Sequence, residues 1–286
     1  MSAYQERSEI FAVKQVGEYV QFTLVAPRIA KDARPGQFVS VAVGGANTAM
    51  PLRRAFALYS ATPGGEFAGT IEFVVAEHGA GTKWLVQRKP GDVLDVVGPL
   101  GTTFPVPSSA SPAVLVGGGY GTAPLIPLAR QLVASGSPVA IIVGAATSSR
   151  LFGELVAKRT VGAVTVTTDD GSAGVHGKVT DVLADTINRI DAQVVYACGP
   201  MPMLRAVSAI AREHAVRTQV AVEEAMACGI GVCMTCVLPV RQDDGRSRFV
   251  RSCVDGPVFD GDRVRWDDVG KLPPDLVGAD VMGGGH

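Results

Sequence analysis

Along the first third of the chain, apolar and polar positions alternate in short runs. Residues 19–25 (Tyr-Val-Gln-Phe-Thr-Leu-Val) and 37–43 (Gln-Phe-Val-Ser-Val-Ala-Val) carry apolar side chains at every second position, and Pro and Gly punctuate the runs. This pattern, from residue 10 to about 105, predicts half-buried strands in a small antiparallel barrel. The texture changes at Ala113-Val-Leu-Val116, which is apolar throughout, as a strand covered on both faces must be. A glycine turn and a helical stretch at 123–133 follow. A buried strand at 139–143 and further strand candidates at 164–168 and 194–197 then continue a β/α alternation that predicts a doubly wound parallel sheet. From residue 219 the rhythm breaks and cysteines appear. There is no internal repeat, and the Gly283-Gly-Gly-His286 tail is expected to fray. The expected fold is therefore α/β plus β: an antiparallel β-barrel domain over 1–108, a doubly wound parallel α/β domain over 109–217, and a small C-terminal domain with its tail over 218–286.

Length and charge agree with that division. The 286 residues suffice for two ordinary cores and a short module, and 47% apolar with 19% charged residues is a globular balance. A net charge of -1 gives no electrostatic reason to expect nucleic acid. The N-terminus lacks a charged-then-apolar leader, and the run at 139–143 is far too short to span a bilayer, so a cytoplasmic protein without a membrane span is expected.

The cysteines carry the most specific chemistry. Four of the five lie in the last quarter of the chain, which argues against a secreted disulfide framework. Cys228-x4-Cys233-x2-Cys236, with Cys253 after sixteen intervening residues, follows the spacing of plant-type [2Fe–2S] ligands. Glycines inside Cys228-Gly-Ile-Gly-Val-Cys233 let the backbone wrap closely and aim amides at sulfur. A structural zinc site and unrelated thiols are the alternatives, and zinc leaves the glycine loop unexplained. Cys198, in Tyr196-Ala-Cys-Gly-Pro200, reads as a small residue at a strand end.

Val116-Gly-Gly-Gly-Tyr-Gly-Thr-Ala-Pro124 stands where a buried strand hands over to a helix, a place for a diphosphate. Thr122 occupies the third glycine position of G-x-G-x-x-G, so the turn alone is also compatible with a plain α/β connection. After the next strand, Gly144-Ala-Ala-Thr-Ser-Ser-Arg150 offers hydroxyls and a guanidinium in place of the acid that commonly holds an NAD ribose, which leaves NADPH open. Arg150 serves equally as the start of a solvated helix. Pro51-Leu-Arg-Arg-Ala-Phe-Ala-Leu-Tyr-Ser60 sets two arginines before an apolar strand, where a cation could face a phosphate or a reduced flavin or simply sit at a barrel edge. His78-Gly-Ala-Gly-Thr-Lys-Trp-Leu85 reads as a loop capped by Thr82 that opens a helix. The four histidines form no hydrolytic constellation, and no catalytic residue is assigned.

In this order, over nearly the whole chain, these segments resemble the electron-transfer subunit of the two-subunit, NAD-linked dihydroorotate dehydrogenases, within the ferredoxin-reductase superfamily. Arg54-Ala-Phe-Ala57 stands in place of that family's Arg-Pro-x-Ser flavin motif, with Ala57 where a serine is usual. Gly91-Asp-Val-Leu-Asp-Val-Val-Gly-Pro-Leu-Gly101 is similar to its barrel closure, and Glu223 to Cys233 with Cys253-Val-Asp-Gly-Pro-Val-Phe259 to its cluster domain. The resemblance implies FAD held by Arg54, Phe56, Ala57, Leu58, Gly79, Gly81 and Thr82. It implies NAD(H), with NADP(H) open, at Gly118, Gly119, Gly121, Thr122, Asp170, Cys198, Gly199, Pro200 and Met203. The cluster ligands are Cys228, Cys233, Cys236 and Cys253.

The activity that the resemblance implies is that of an oxidoreductase subunit, which takes hydride at a flavin and passes single electrons to an iron–sulfur centre. Its expected partner is the FMN-containing catalytic subunit of dihydroorotate dehydrogenase, in a hetero-oligomer serving pyrimidine biosynthesis. No base stands in a substrate pocket, so the chain alone is not expected to oxidise dihydroorotate. A diaphorase-like NAD(P)H oxidoreductase subunit of a sulfide, hydrogenase or ferredoxin:NADP complex is the alternative. A redox sensor without turnover is the non-enzymatic one.

Overall fold

The computed structural model describes residues 2–45, 48–65 and 68–277, and the C-terminal glycine tail lies outside them. The alternating region closes into a barrel of β1 (Tyr4–Val16), β2 (Tyr19–Val25), β3 (Phe38–Val41), β4 (Arg54–Pro63), β5 (Gly69–Ala76) and β6 (Val93–Leu100), in the order β1-β2-β5-β4-β3-β6, all antiparallel. Two short helices, α1 (Pro27–Asp32) and α2 (Ala80–Val86), connect its strands. Alternation fills the interior as predicted: Phe22 and Leu24 of β2 and Val39 and Val41 of β3 all point into it. Phe73 stacks between Phe22 and Phe56, with centroids 5.6 and 5.0 Å away.

The second unit is a parallel sheet built from β7 (Ala113–Gly118), β8 (Val139–Ala145), β9 (Ala163–Thr168), β10 (Val175–His176), β11 (Val194–Cys198) and β12 (Arg217–Ala221). Its helices are α3 (Leu125–Ala134), α4 (Glu154–Thr160), α5 (Leu183–Ile190) and α6 (Met201–Glu213). Strand β7 shows why its sequence is apolar without a break. Ala113 and Leu115 pack with α3 and α4, while Val114 and Val116 pack with α5 and α6 on the opposite face. The core on the α3 side continues into Tyr19, Tyr59 and Val74, which joins the sheet unit to the barrel.

In the C-terminal part, β13 (Val237–Arg241) and β14 (Ser247–Arg251) form a hairpin, and β15 (Val258–Asp260) returns to pair antiparallel with β12. The full sheet order is β10-β9-β8-β7-β11-β12-β15. A boundary between residues 217 and 218 therefore cuts through β12. By hydrogen bonding, the α/β unit runs to Ala221 and takes back β15, because a buried edge strand needs a partner for its amides. Among the described residues, no helix is long and apolar enough to cross a membrane.

Candidate functional site

The parallel register of β7 and β11 pairs Cys198 with Gly117 and so brings together two segments eighty residues apart. Their glycines serve this contact. A Cβ on Gly118 would stand 2.7 Å from Met203 Sδ and 3.0 Å from Pro200 Cδ, and one on Gly121 would stand 2.5 Å from the Cys198 carbonyl oxygen. Beyond the strand ends opens a cavity of about 610 Å³, a size suited to a dinucleotide, lined by Gly118, Gly119, Pro200 and Met203 among others. Arg150 stands at its wall in an ion pair with Glu18 of the barrel, Nε to Oε2 2.9 Å.

A smaller inner cavity of about 130 Å³ lies where barrel, sheet and cysteine segment meet, lined by Phe56, Ala57, Gly121, Cys198 and Gly199. Burial, and then the nearby Glu223 carboxylate, push the Cys198 thiol up to about 12, so it is a neutral wall of this cavity.

On the barrel side, Arg54 Nη1 donates to the carbonyls of Leu52 and Arg53, and its guanidinium lies where a Cβ on Gly81 would stand, 2.9 Å from Nε. Gly81 thus admits a cation to the start of α2. Thr82 Oγ1 accepts the amides of His78 and Gly79 at 2.9 and 3.1 Å, so it shapes the loop from within. The neighbouring Arg53 is committed elsewhere, to Asp95 at 3.0 Å and to the Ser40 and Asp95 carbonyls.

Seven expected cofactor residues line neither cavity: Arg54, Gly79, Gly81 and Thr82, which form the barrel-side loop just described, and Leu58, Thr122 and Asp170. Leu58 is barrel core. Thr122 is fully buried against Gly117, beneath the turn rather than on its surface. Asp170 is exposed, and its Oδ1 closes its own turn by accepting the Ser172 amide (3.0 Å) and hydroxyl (2.6 Å), which holds its carboxyl below the usual range. Asp169 takes its place at the cavity wall. Side-chain direction in a turn is not periodic, and one residue of displacement reverses it.

The cysteines gather beside the inner cavity. Gly229 and Gly231 take φ of +72° and +82°, a left-handed backbone that favours glycine, and between them the amides of Ile230 and Val232 turn back onto Cys228 Sγ at 3.4 Å each. Thr235 Oγ1 donates to Cys233 Sγ at 3.1 Å, which brings the Cys233 thiol down to about 6. Arg251 Nη1 donates to the Gly231 carbonyl (2.9 Å) and so ties the loop to the strand that leads to Cys253. Cys236 and Cys253 are buried and Cys233 is exposed. Burial, and then the hydrogen bond that Cys253 makes to Cys236, raise the Cys253 thiol.

This donor set fits an iron–sulfur cluster. Four soft sulfurs are grouped, with amide and hydroxyl donors already aimed at two of them. Among the described residues, no three His, Cys, Asp or Glu side chains are arranged to hold a single metal ion.

Phe38 and Met226 link the two places: both line the inner cavity and both pack with Cys236 and Cys253. Sequence reasoning gave no role to Phe38, Met226, Tyr120, Glu223 or Asp169. Phe38 carried only the signal of strand alternation; the other four stood inside segments singled out for other residues.

The comparisons with known proteins cover the same ground. Residues 223–265 match the family described as the iron–sulfur cluster binding domain of dihydroorotate dehydrogenase B, and residues 115–209 match the oxidoreductase NAD-binding domain. The dihydroorotate dehydrogenase B (NAD(+)) electron transfer subunit of Bacillus caldolyticus is 38% identical over 89% of this chain and 96% of its own length. That of Caldanaerobacter subterraneus subsp. tengcongensis is 40% identical over 82% and 88%. Among solved structures, a chain of an NADH-dependent reduced ferredoxin-NADP oxidoreductase superposes with a TM-score of 0.79 and 31% identity, covering 92% of this chain and 91% of that one. With that identity sustained over nearly the full length of its relatives, this chain belongs to the family of dihydroorotate dehydrogenase B (NAD(+)) electron transfer subunits.

Proposed function

We propose that this protein is the electron-transfer subunit of an NAD-linked dihydroorotate dehydrogenase, working in the cytoplasm beside an FMN-containing catalytic subunit in pyrimidine biosynthesis. The observation that carries this reading is the wall shared by the inner cavity and the cysteine site, made by Phe38 and Met226. Bound at these sites, FAD supplies the exchange between a hydride and single electrons, and the [2Fe–2S] cluster stores and releases electrons one at a time.

The chain's own residues hold and orient. Cys228, Cys233, Cys236 and Cys253 are the ligands. Ile230 and Val232 amides and the Thr235 hydroxyl stabilise negative charge on sulfur. Arg54 supplies a fixed cation against the loop of Gly79, Gly81 and Thr82 for a flavin phosphate. Phe56 and Ala57 bound the inner cavity from the barrel, and Gly121, Cys198 and Gly199 bound it from the sheet. Gly118, Gly119, Pro200 and Met203 bound the large cavity, where the pyridine nucleotide binds. Ile230, Val232 and Met234 are all more than half exposed, an apolar cap for a partner surface to cover.

Anaerobic titration with NADH, and then NADPH, followed in the flavin and iron–sulfur absorbance bands, tests the reading. Bleaching of both chromophores by one nucleotide is the expected result, and the absence of both chromophores from folded, reconstituted protein refutes it. The likeness to the ferredoxin-NADP oxidoreductase chain favours one second reading, the same module serving a different partner. Reconstitution of dihydroorotate-dependent NAD(+) reduction with the catalytic subunit separates the two.

A further inference from the structure

Among the described residues, two side chains line both cavities, Tyr120 and Glu223, and they are bonded to one another: the Tyr120 hydroxyl donates to Glu223 Oε1. They come from different units. Tyr120 sits in the turn after β7, and Glu223 lies two residues beyond β12, on the segment that runs to the first cluster cysteine. We propose that this pair is a gate, a phenol latched across the passage between the two cavities, which the nicotinamide end of the dinucleotide displaces to reach the inner one. The inference rests on the large cavity being the pyridine-nucleotide site.

The two cavities adjoin at these two side chains, and their sizes suit such a passage. At about 610 Å³ the large cavity can house a dinucleotide, whereas at about 130 Å³ the inner one has room for no more than one end of it. The wall of the inner cavity carries the flavin-motif residues Phe56 and Ala57. A ring that enters from the nucleotide side must therefore pass the two residues held in common.

The latch has a defined closed position and a means of leaving it. Closed, the Tyr120 ring stands edge-on to Tyr19, with centroids 5.7 Å apart at 78°. Tyr19 is itself buried and fixed by its hydroxyl to the Arg150 carbonyl at 2.9 Å. Desolvation and the Glu223 carboxylate raise the phenol above its ordinary range, so it stays a donor at neutral pH. Gly119, before Tyr120, holds φ of +56°, so the backbone can turn on that side of the ring, while Gly121 on the other side stays packed against Cys198. A hydrogen bond to a carboxylate biases the pair toward closure, and a ligand that needs the open state binds less tightly by the fraction open.

The test uses the oxidised holoprotein with two probes, NAD(+) and ADP-ribose, the second lacking nicotinamide, each titrated by calorimetry. Y120F keeps the ring and removes the latch. It is expected to tighten NAD(+) about tenfold and to leave ADP-ribose unchanged, at an unaltered melting temperature. E223Q keeps a weaker acceptor and is expected to give a smaller shift of the same sign, again for NAD(+) alone. Should Y120F fail to fold, E223Q carries the comparison. Weaker NAD(+) binding, equal shifts for both probes, or no shift overturns the gate. If the unaltered protein binds neither probe, the reading of the large cavity falls first and the gate with it.

Discussion

The turn at 117–121 and the cysteine loop at 228–233 are both rich in glycine, and the structure uses the glycines in opposite ways. In the turn, missing side chains permit close approach: Gly121 lies on the Cys198 carbonyl and Gly118 on the Met203 side chain, inside the molecule. In the cysteine loop, Gly229 and Gly231 matter for their left-handed φ, which folds the amides inward onto Cys228 and throws Ile230 and Val232 outward. The first loop is a packing device, and its alteration is felt by the whole sheet. The second is an electrostatic device with an exposed face, and its alteration is felt by the cluster and the partner.

Gly121→Ala offers the most severe test of that contrast. Its Cβ meets a backbone carbonyl that cannot move away, and overpacking of this kind costs about 1–3 kcal/mol. Thermal unfolding should show a melting point lower by several degrees. Gly231→Ala should instead lower cluster content, because its Cβ meets side-chain ends, Val254 Cγ2 at 2.5 Å and Arg251 Nη1 at 3.4 Å, while its φ of +82° becomes strained. Equal global destabilisation by both variants would erase the distinction.

Next in size is Val232→Asp. Val232 is 76% exposed, so the change should leave melting temperature and visible spectrum unaltered and weaken association with the catalytic subunit by about tenfold, as a charge placed in a desolvated contact does. Sedimentation of the two chains at several concentrations reads this directly. Unchanged affinity would mean that the apolar cap faces water in the complex.

The smallest effect is expected from Thr235→Val, which removes the hydroxyl donor to Cys233 Sγ. Loss of one hydrogen bond of about 1 kcal/mol to a thiolate favours the oxidised cluster and should move its potential negative by roughly tens of millivolts. Anaerobic redox titration followed by electron paramagnetic resonance measures the shift. No change would show that the amides of Ile230 and Val232 carry the tuning alone.

The barrel, the parallel sheet and the iron–sulfur binding segment were legible in the chain because each is written in local periodicity or spacing. Alternation marks β2 and β3, an unbroken apolar run marks β7, and the four-cysteine spacing stands out against any composition. The walls of the cavities were legible only in part. Thr122, Leu58 and Asp170 lie within the right segments yet point into the core or into their own turn, because the direction of a side chain in a turn or at a bulge depends on what packs beneath it. The same cause hid Tyr120 and Glu223, which meet across a hundred residues.

By itself, then, the sequence determined which backbone each stretch prefers and which atoms can bind iron, since both depend on neighbours a few residues away. Only the tertiary structure decided that β15 completes the sheet, that Phe38 and Met226 stand between cysteines and inner cavity, and that one phenol and one carboxylate share the passage between two cavities. Those depend on close packing of distant segments, and a linear pattern contains no term for it.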